Sequence, residues 1–185
     1  MDKKLITGLS VFGIIVLAYI INITMQKGYN SQEDKLTEIN KDEINKIVIS
    51  SNQDAIELMQ VDTTWVISGN DTLVIKENSI DNFFDKIFDL NKQHLVTSKE
   101  ENWPNYSLDA ESGTHLAFIN SKGETIAYYV FGRSQSEYNI CYVRANKSTD
   151  VYLLDTNIMY QLQTRPTFWG TKPEPEKLEE EVTAP

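Results

Sequence analysis

The chain has 185 residues and a formal net charge of −10, with 27 acidic against 17 basic residues. This acidic balance argues against nucleic acid and against anionic lipid head groups as partners, because both repel a negative surface. The single cysteine, Cys141, excludes an internal disulfide and any zinc site built from several thiolates.

The first element of the chain is an apolar run from Leu5 to Ile23, which contains no charged side chain. About twenty residues at about 1.5 Å each match the roughly 30 Å hydrocarbon core of a bilayer, so the run predicts a transmembrane helix held in lipid. The alternative is a cleaved signal peptide, which usually has a shorter apolar region and a small-x-small cleavage site. The residues after Ala18 supply no such site, which favours an uncleaved anchor.

The basic residues beside the run predict its orientation. Lys3 and Lys4 precede it and only Lys27 follows closely, and basic flanks tend to stay in the cytoplasm. We therefore expect a single-pass protein of the bacterial inner (cytoplasmic) membrane, with its N-terminus in the cytoplasm and its domain extracytoplasmic.

Polar segments flank the rest of the chain. Residues 1–27 form the predicted cytoplasmic stub and anchor, and residues 28–43, which have few apolar side chains, predict a tether. Residues 171–185 combine three prolines with five glutamates, which predicts a disordered acidic tail rather than a packed segment. An acidic docking tail is the alternative. A single domain is expected over residues 44–170.

Period-two alternation in the first half of this domain predicts four antiparallel strands, separated by turns that contain Gly, Asn and Asp. The strands are Ile44–Ile49, Ala55–Val61, Thr64–Ile67 and Thr72–Ile75. The period then changes to three and four residues from Ile80 to Phe88, which predicts an amphipathic helix that begins at an N-cap, Ser79, and lies on the sheet.

The second half of the domain repeats this order. Predicted strands at Leu116–Ile119, Thr125–Phe131, Ile140–Val143 and Val151–Leu154 precede a short helical segment that Thr156 caps. Tyr129 and Phe131 should share one face of their strand, and Tyr128 and Val130 the other. The predicted class is α+β, an antiparallel sheet with packed helices after the transmembrane helix. A duplicated ββββα unit and a meander ending in a helix both fit the pattern.

Several short motifs, taken together in order and spacing, resemble the family called domain of unknown function 4340, over roughly Ile44 to Arg165. They are Trp65 after a hairpin, the Ser79–Leu90 helix, Tyr106-Ser-Leu-Asp109, Val130-Phe-Gly132, Cys141-Tyr-Val-Arg144 and Val151-Tyr-Leu-Leu-Asp155. The family more often has Gly where Ser107 stands and prolines near Ala110 and Glu111. The resemblance implies a membrane-anchored extracytoplasmic domain, sometimes encoded with transport-permease or gliding-motility components, and implies no catalytic residues.

Residues for chemistry are sparse. The chain has no phosphate-binding glycine loop, no metalloprotease motif and no nucleophile elbow, and its two histidines are His94 and His115. A pair of Cys141 with either histidine would be needed for thiol catalysis, but a cysteine between apolar strand residues is typically a small buried side chain. We therefore expect no enzyme, no cofactor and no metal.

Two aromatic groups are candidates for contact with a partner: Trp103 and Tyr106 in the central connection, and Phe168 and Trp169 near the end of the domain. Packing is the favoured role for all four, because large aromatic side chains usually contribute buried area first. The leading hypothesis is a non-enzymatic interaction or scaffold module that meets an unidentified envelope protein, and the resemblance implies an ABC-type transporter or a gliding apparatus as its setting. The alternative is an extracytoplasmic domain that binds glycan or peptide, which a deep aromatic-lined pocket between the halves would favour.

Overall fold

The computed structural model describes residues 16, 17, 19, 34–52 and 54–173. Two compact units divide the chain, residues 1–34 and residues 35–185, and the fold described below is that of the second. The predicted transmembrane run, residues 5–23, lies outside the described residues except for positions 16, 17 and 19, which are helical and exposed. Within the described part of the chain, no helix is both long enough and apolar enough to cross a membrane.

The described fold is mainly antiparallel sheet with few helices. Its strands are β1 (Asp34–Lys35), β2 (Lys46–Ser51), β3 (Asp54–Val61), β4 (Thr64–Ile67), β5 (Val74–Ile75), β6 (Asn91–Thr97), β7 (Thr114–Ile119), β8 (Thr125–Arg133), β9 (Cys141–Ala145), β10 (Val151–Leu154) and β11 (Gly170–Thr171). Nine of them form one sheet in the order β1-β6-β10-β9-β8-β7-β2-β3-β4, and β5 pairs with β11 in a second sheet.

The two predicted halves meet at the centre of the large sheet. Strand β2 pairs with β7 so that Ile47 lies opposite Phe118 and Ile49 opposite Leu116, and all four side chains are buried. Seven of the eight predicted strands are confirmed as members of this sheet. The eighth, at Thr72–Ile75, is shorter than predicted and belongs to the second sheet, because its partner is β11.

The helices are α1 (Ser79–Phe88), α2 (Pro166–Trp169) and two 3₁₀ helices, η1 (Lys41–Glu43) and η2 (Glu100–Tyr106). The amphipathic helix is confirmed, and its buried residues are Ile80, Phe83, Phe84 and Ile87. The predicted N-cap was wrong. Asn78 occupies that position with a φ of 58°, and the Ser79 hydroxyl donates to the Lys76 carbonyl at 2.7 Å instead of accepting from helix amides.

The predicted helical segment after Thr156 was also wrong. The side-chain oxygen of Asn157 accepts from the Met159 amide at 2.9 Å, and the Gln161 amide donates to the Ile158 carbonyl at 2.8 Å. These bonds close successive turns, because an Asn side chain offers the main chain an alternative to helical pairing. The second half therefore keeps all four of its predicted strands in the large sheet, unlike the first, and has turns where a counterpart of α1 was predicted.

Both faces of the sheet are covered at β8. The main core lies between α1 and one face and includes Tyr129 and Phe131, whereas Val130 belongs to a smaller buried cluster on the other face, with Tyr128 packed against it. The predicted alternation along this strand is therefore confirmed. Of the predicted tether, residues 34–43 are described, and Leu36 is buried in the main core. The predicted acidic tail begins inside β11, and residues 174–185 lie outside the described part.

Candidate functional site

The connection between β6 and β7, residues 98–113, lies against the outer face of the sheet, the face opposite α1. Trp103 and Tyr106 come from η2 in this connection and pack on the smaller buried cluster. The Tyr106 ring meets Tyr142 edge-on with centroids 4.9 Å apart, and the Trp103 indole N–H donates to the Thr149 carbonyl at 3.3 Å. Both aromatics are half-buried, so a rim of each ring faces solvent.

Arg144 on β9 joins the connection to the sheet. Its guanidinium carbon lies 4.0 Å from the centre of the Trp103 ring, and its Nε donates to the Leu108 carbonyl at 3.2 Å. Burial lowers the pKa of Arg144, against a smaller opposing effect of Tyr128 and Glu100. A planar cation stacked on an indole while it donates to a carbonyl holds two segments together, so Arg144 is a structural clamp.

Two further titratable side chains, His115 and Asp109, have partners within the domain. His115 Nδ1 lies 2.5 Å from the Tyr128 hydroxyl, and burial lowers the pKa of His115, with the charge of Arg144 acting in the same direction. The Asp109 carboxylate accepts from the hydroxyl and the amide of Ser112, and these hydrogen bonds lower the pKa of Asp109. Each group therefore has a structural partner.

Cys141 is fully buried in β9, and burial raises the pKa of its thiol to about 12. Its Sγ donates to the Tyr142 carbonyl at 3.7 Å, whereas His115 is bonded to Tyr128. A thiol in this setting is a small packed side chain with no support for a thiolate. Among the described residues, no three His, Cys, Asp or Glu side chains are placed to hold a metal ion.

Phe168 and Trp169, the second predicted contact pair, lie on the opposite side of the sheet from Trp103 and Tyr106. Trp169 is fully buried in the main core, where its ring centre is 5.4 Å from that of Phe83 and its indole N–H donates to the Gln163 carbonyl at 2.7 Å. Phe168 is half-buried beside it, with ring centres 5.1 Å apart. The structure therefore divides the four residues between two clusters.

An apolar hollow beside the last strand of the sheet, which we call the edge groove, has a volume of about 300 Å³. It is lined by Thr63, Thr64, Trp65, Val66, Leu73, Val74, Ile75, Lys76, Asn78, Ile80 and Asp81. Its walls are thus β4, β5 and the beginning of α1. Sequence reasoning missed it, because no local pattern shows that β5 leaves the large sheet.

A second hollow, which we call the tyrosine cleft, has a volume of about 470 Å³ and lies between the β8–β9 loop and the turns at residues 157–163. Its lining residues are Arg133, Ser134, Glu137, Tyr138, Asn157, Met159, Tyr160 and Gln163. Tyr138 is 99% exposed and Tyr160 is 59% exposed. The sequence signal that could have found it is the polar stretch at residues 132–138.

Comparison with known protein families identifies a matching family model. The family model described as a domain of unknown function (DUF4340) matches residues 65–174, which is well over half of the chain. The match begins in β4, so β2 and β3 lie outside it although they belong to the same sheet. No curated protein and no solved structure is significantly similar.

Proposed function

This chain belongs to the family of the domain of unknown function DUF4340, and from that premise we propose that it is a membrane-anchored interaction or scaffold module without enzymatic activity. The observation that carries the proposal is the uncharged run from Leu5 to Ile23, which precedes the tether and the folded domain in the chain. The run anchors the chain in the bacterial inner membrane, with the N-terminus in the cytoplasm and the domain outside.

The contacts within the domain favour docking over catalysis. Its clustered polar side chains, His115, Asp109 and Arg144, have partners in the fold, and Cys141 is buried with a raised pKa. Features open to a partner include the edge strand β4, the edge groove and the tyrosine cleft. An edge strand beside an apolar hollow is a common site for protein recognition.

The setting of the module follows from the family resemblance. We propose that its partner is a component of a cell-envelope complex, accessory to an ABC-type transporter or to a gliding-motility apparatus. A domain tied to the bilayer meets such a partner at a high effective concentration, because the anchor restricts both proteins to one surface. Affinity per contact therefore need not be high.

The anchor is tested by two central substitutions, Ile14→Lys and Leu17→Lys. Each charge costs about 2.5 to 3.5 kcal/mol in the middle of a transmembrane helix, so the double variant should leave the membrane fraction after alkaline washing while the natural chain stays. Protease added outside spheroplasts should digest the domain of the natural chain. Recovery of mature chains that begin after Thr24 would contradict the anchor.

The interaction role is tested by photocrosslinking in intact cells. A photoreactive residue replaces Val74 in the edge groove or Tyr138 in the tyrosine cleft, and exposed Lys122, in the turn between β7 and β8, serves as the control position. We expect one envelope protein to be crosslinked from a hollow and not from the control. Absence of specific crosslinks from both hollows would contradict an interaction module.

The tyrosine cleft favours a second function, an extracytoplasmic domain that binds glycan or peptide. Exposed tyrosine rings beside the Gln163 amide suit a sugar, because rings stack on sugar faces and an amide bonds hydroxyls. The cleft lies within the second half, whereas the pocket that would favour this alternative was expected between the halves. Titration with cell-wall glycan fragments tests this role, and Tyr138→Ala should reduce binding at least tenfold. Equal binding by this variant would contradict it.

A further inference from the structure

Strand β4 is the last strand of the large sheet, and part of its main chain is unpaired. Ser68 N–H donates to the Glu57 carbonyl at 2.8 Å, and bonded pairs alternate with non-bonded pairs along an antiparallel ladder. Trp65 and Ile67 therefore turn their main-chain groups away from β3. The Ile67 carbonyl accepts from the Asn70 amide at 3.1 Å. The main-chain N–H and C=O of Trp65 and the main-chain N–H of Ile67 have no partner among the described residues.

The edge groove adjoins these unpaired groups. Its lining begins with β4 itself and continues to the opposite wall, where Val74 is 51% exposed. If a ligand pairs with β4 as an added strand, its alternate side chains point to the same face of the sheet. These side chains would enter the groove while the ligand main chain forms hydrogen bonds with Trp65 and Ile67. Open hydrogen-bonding groups and an apolar hollow are thus available to the same ligand.

The charges around the groove favour a basic ligand. Its one lysine, Lys76, already donates to the carbonyls of Thr167 and Phe168, both at 2.8 Å. Asp62 and Glu77 adjoin lining residues in the chain, are exposed, and form no ion pair with another described residue. Positive side chains of a partner would meet these free carboxylates.

We propose that the edge groove binds an extended basic segment of another envelope protein, in which branched apolar residues alternate with Lys or Arg, as a tenth strand next to β4. This inference rests on the proposed interaction role and names the partner's chemistry. The same charges disfavour two other occupants. A second copy of the chain is itself acidic, and residues 174–185 carry five glutamates against one lysine.

The charge requirement is tested with the full-length chain in mild detergent. The probe is a capped, fluorescent hexapeptide of alternating lysine and valine, and the comparison peptide has glutamate in place of lysine. We expect the lysine peptide to bind at least tenfold more tightly at low salt. Equal binding of the two peptides would overturn the proposed ligand chemistry.

Strand addition is tested with N-methylated forms of the same lysine peptide. One peptide is methylated at its lysine amides and the other at its valine amides, so each has only one edge of the added strand blocked. The peptide blocked on the edge that faces β4 should lose at least tenfold in affinity, and the other should bind as before. Equal loss in both peptides, or no loss in either, would overturn pairing with β4.

The location is tested by Val74→Lys with Leu95→Lys as a matched control. Both side chains are about half exposed, at 51% and 55%, but Val74 lines the groove, whereas Leu95 lies on β6, near the other end of the large sheet. We expect at least a tenfold loss of peptide binding for Val74→Lys and less than a twofold change for Leu95→Lys. Equal effects would show a general response to charge and overturn the site, as would a dimer of the natural chain that Val74→Lys dissociates.

The outcomes in cells separate this inference from the proposed function. Crosslinking of an envelope protein from Tyr138 but not from Val74 would overturn the edge groove as the docking site and leave an interaction module in place. Lack of specific crosslinks from either position, together with tight binding of the lysine peptide in detergent, would contradict the envelope role and keep the ligand chemistry of the groove.

Discussion

Substitution of Gly132 by alanine should weaken the fold by forcing the connection away from the sheet. A Cβ at Gly132 would overlap the main-chain carbonyl oxygen of Tyr106 and lie 2.8 Å from that of Ser107. Overpacking of this kind costs about 1 to 3 kcal/mol, and displacement of the connection also weakens the bond from Arg144 to Leu108, worth about 1 kcal/mol or more. We expect a loss of about 3 kcal/mol in the free energy of unfolding.

Urea unfolding of the full-length chain in mild detergent, followed by tryptophan fluorescence, measures this loss. With an m value of about 2 kcal/mol per molar urea, the midpoint should fall by roughly 1.5 M. The control is Gly123→Ala, where no atom lies within 4 Å of the added Cβ but the φ of 81° costs about 1 kcal/mol. Without the contact, alanine would stabilise β8, so an unchanged or higher midpoint for Gly132→Ala would refute the reasoning.

Four further predictions use the same unfolding measurement. Trp169→Ala should cost about 3 to 5 kcal/mol because the ring is fully buried, whereas Tyr138→Ala, at a 99% exposed residue, should change stability by less than about 0.5 kcal/mol. Arg144→Lys should cost about 1 kcal/mol, since a lysine ammonium cannot both stack on the Trp103 indole and donate to the Leu108 carbonyl. Burial raises the pKa of Cys141 to about 12, so the neutral thiol contributes fully to the free energy of unfolding below pH 9. This contribution is lost as the pH rises from 9 toward 12, and Cys141→Val should make the free energy of unfolding less dependent on pH in that range. The pKa of His115 is lowered, so its contribution is present above about pH 6.5 and is lost as the pH falls through the folded-state value, and His115→Gln should reduce this acid sensitivity. Alkaline or acid profiles identical to those of the natural chain would contradict the last two.

Local patterns predicted most strands but not their partners. Alternation identified β2, β3 and β4 because one face of each is buried against α1. Strand β6 was missed because only two of its seven residues, Leu95 and Val96, are apolar, and its place in the sheet comes from pairing with β10. The N-cap at Ser79 failed because main-chain geometry at Asn78 decided where the helix begins.

The candidate sites depend on contacts that sequence patterns do not encode. The roles of Trp103 and Tyr106 depend on a strand that is distant in sequence, since Arg144 and Tyr142 on β9 contact them on the outer face of the sheet. The edge groove exists because β5 pairs with β11. Gly170 allows these strands to approach, because a Cβ at this position would lie only 2.9 Å from the Cβ of Leu73. Family resemblance, in contrast, was readable from motif order and is confirmed by the family match.

The pairing of β2 with β7 also determines how long the β2–β3 hairpin stays unpaired on one side during synthesis. Phe118 lies 57 residues after Val61, where the hairpin of β2 and β3 is complete, so at about 5 to 20 residues per second the hairpin exists for roughly 3 to 11 seconds before β7 pairs with its other side. During that interval the nascent hairpin presents an open ladder and apolar side chains to its surroundings. Chaperone occupancy of stalled chains that end between residues 61 and 114 should therefore exceed that of chains extended past residue 131, where β7 and most of β8 are complete.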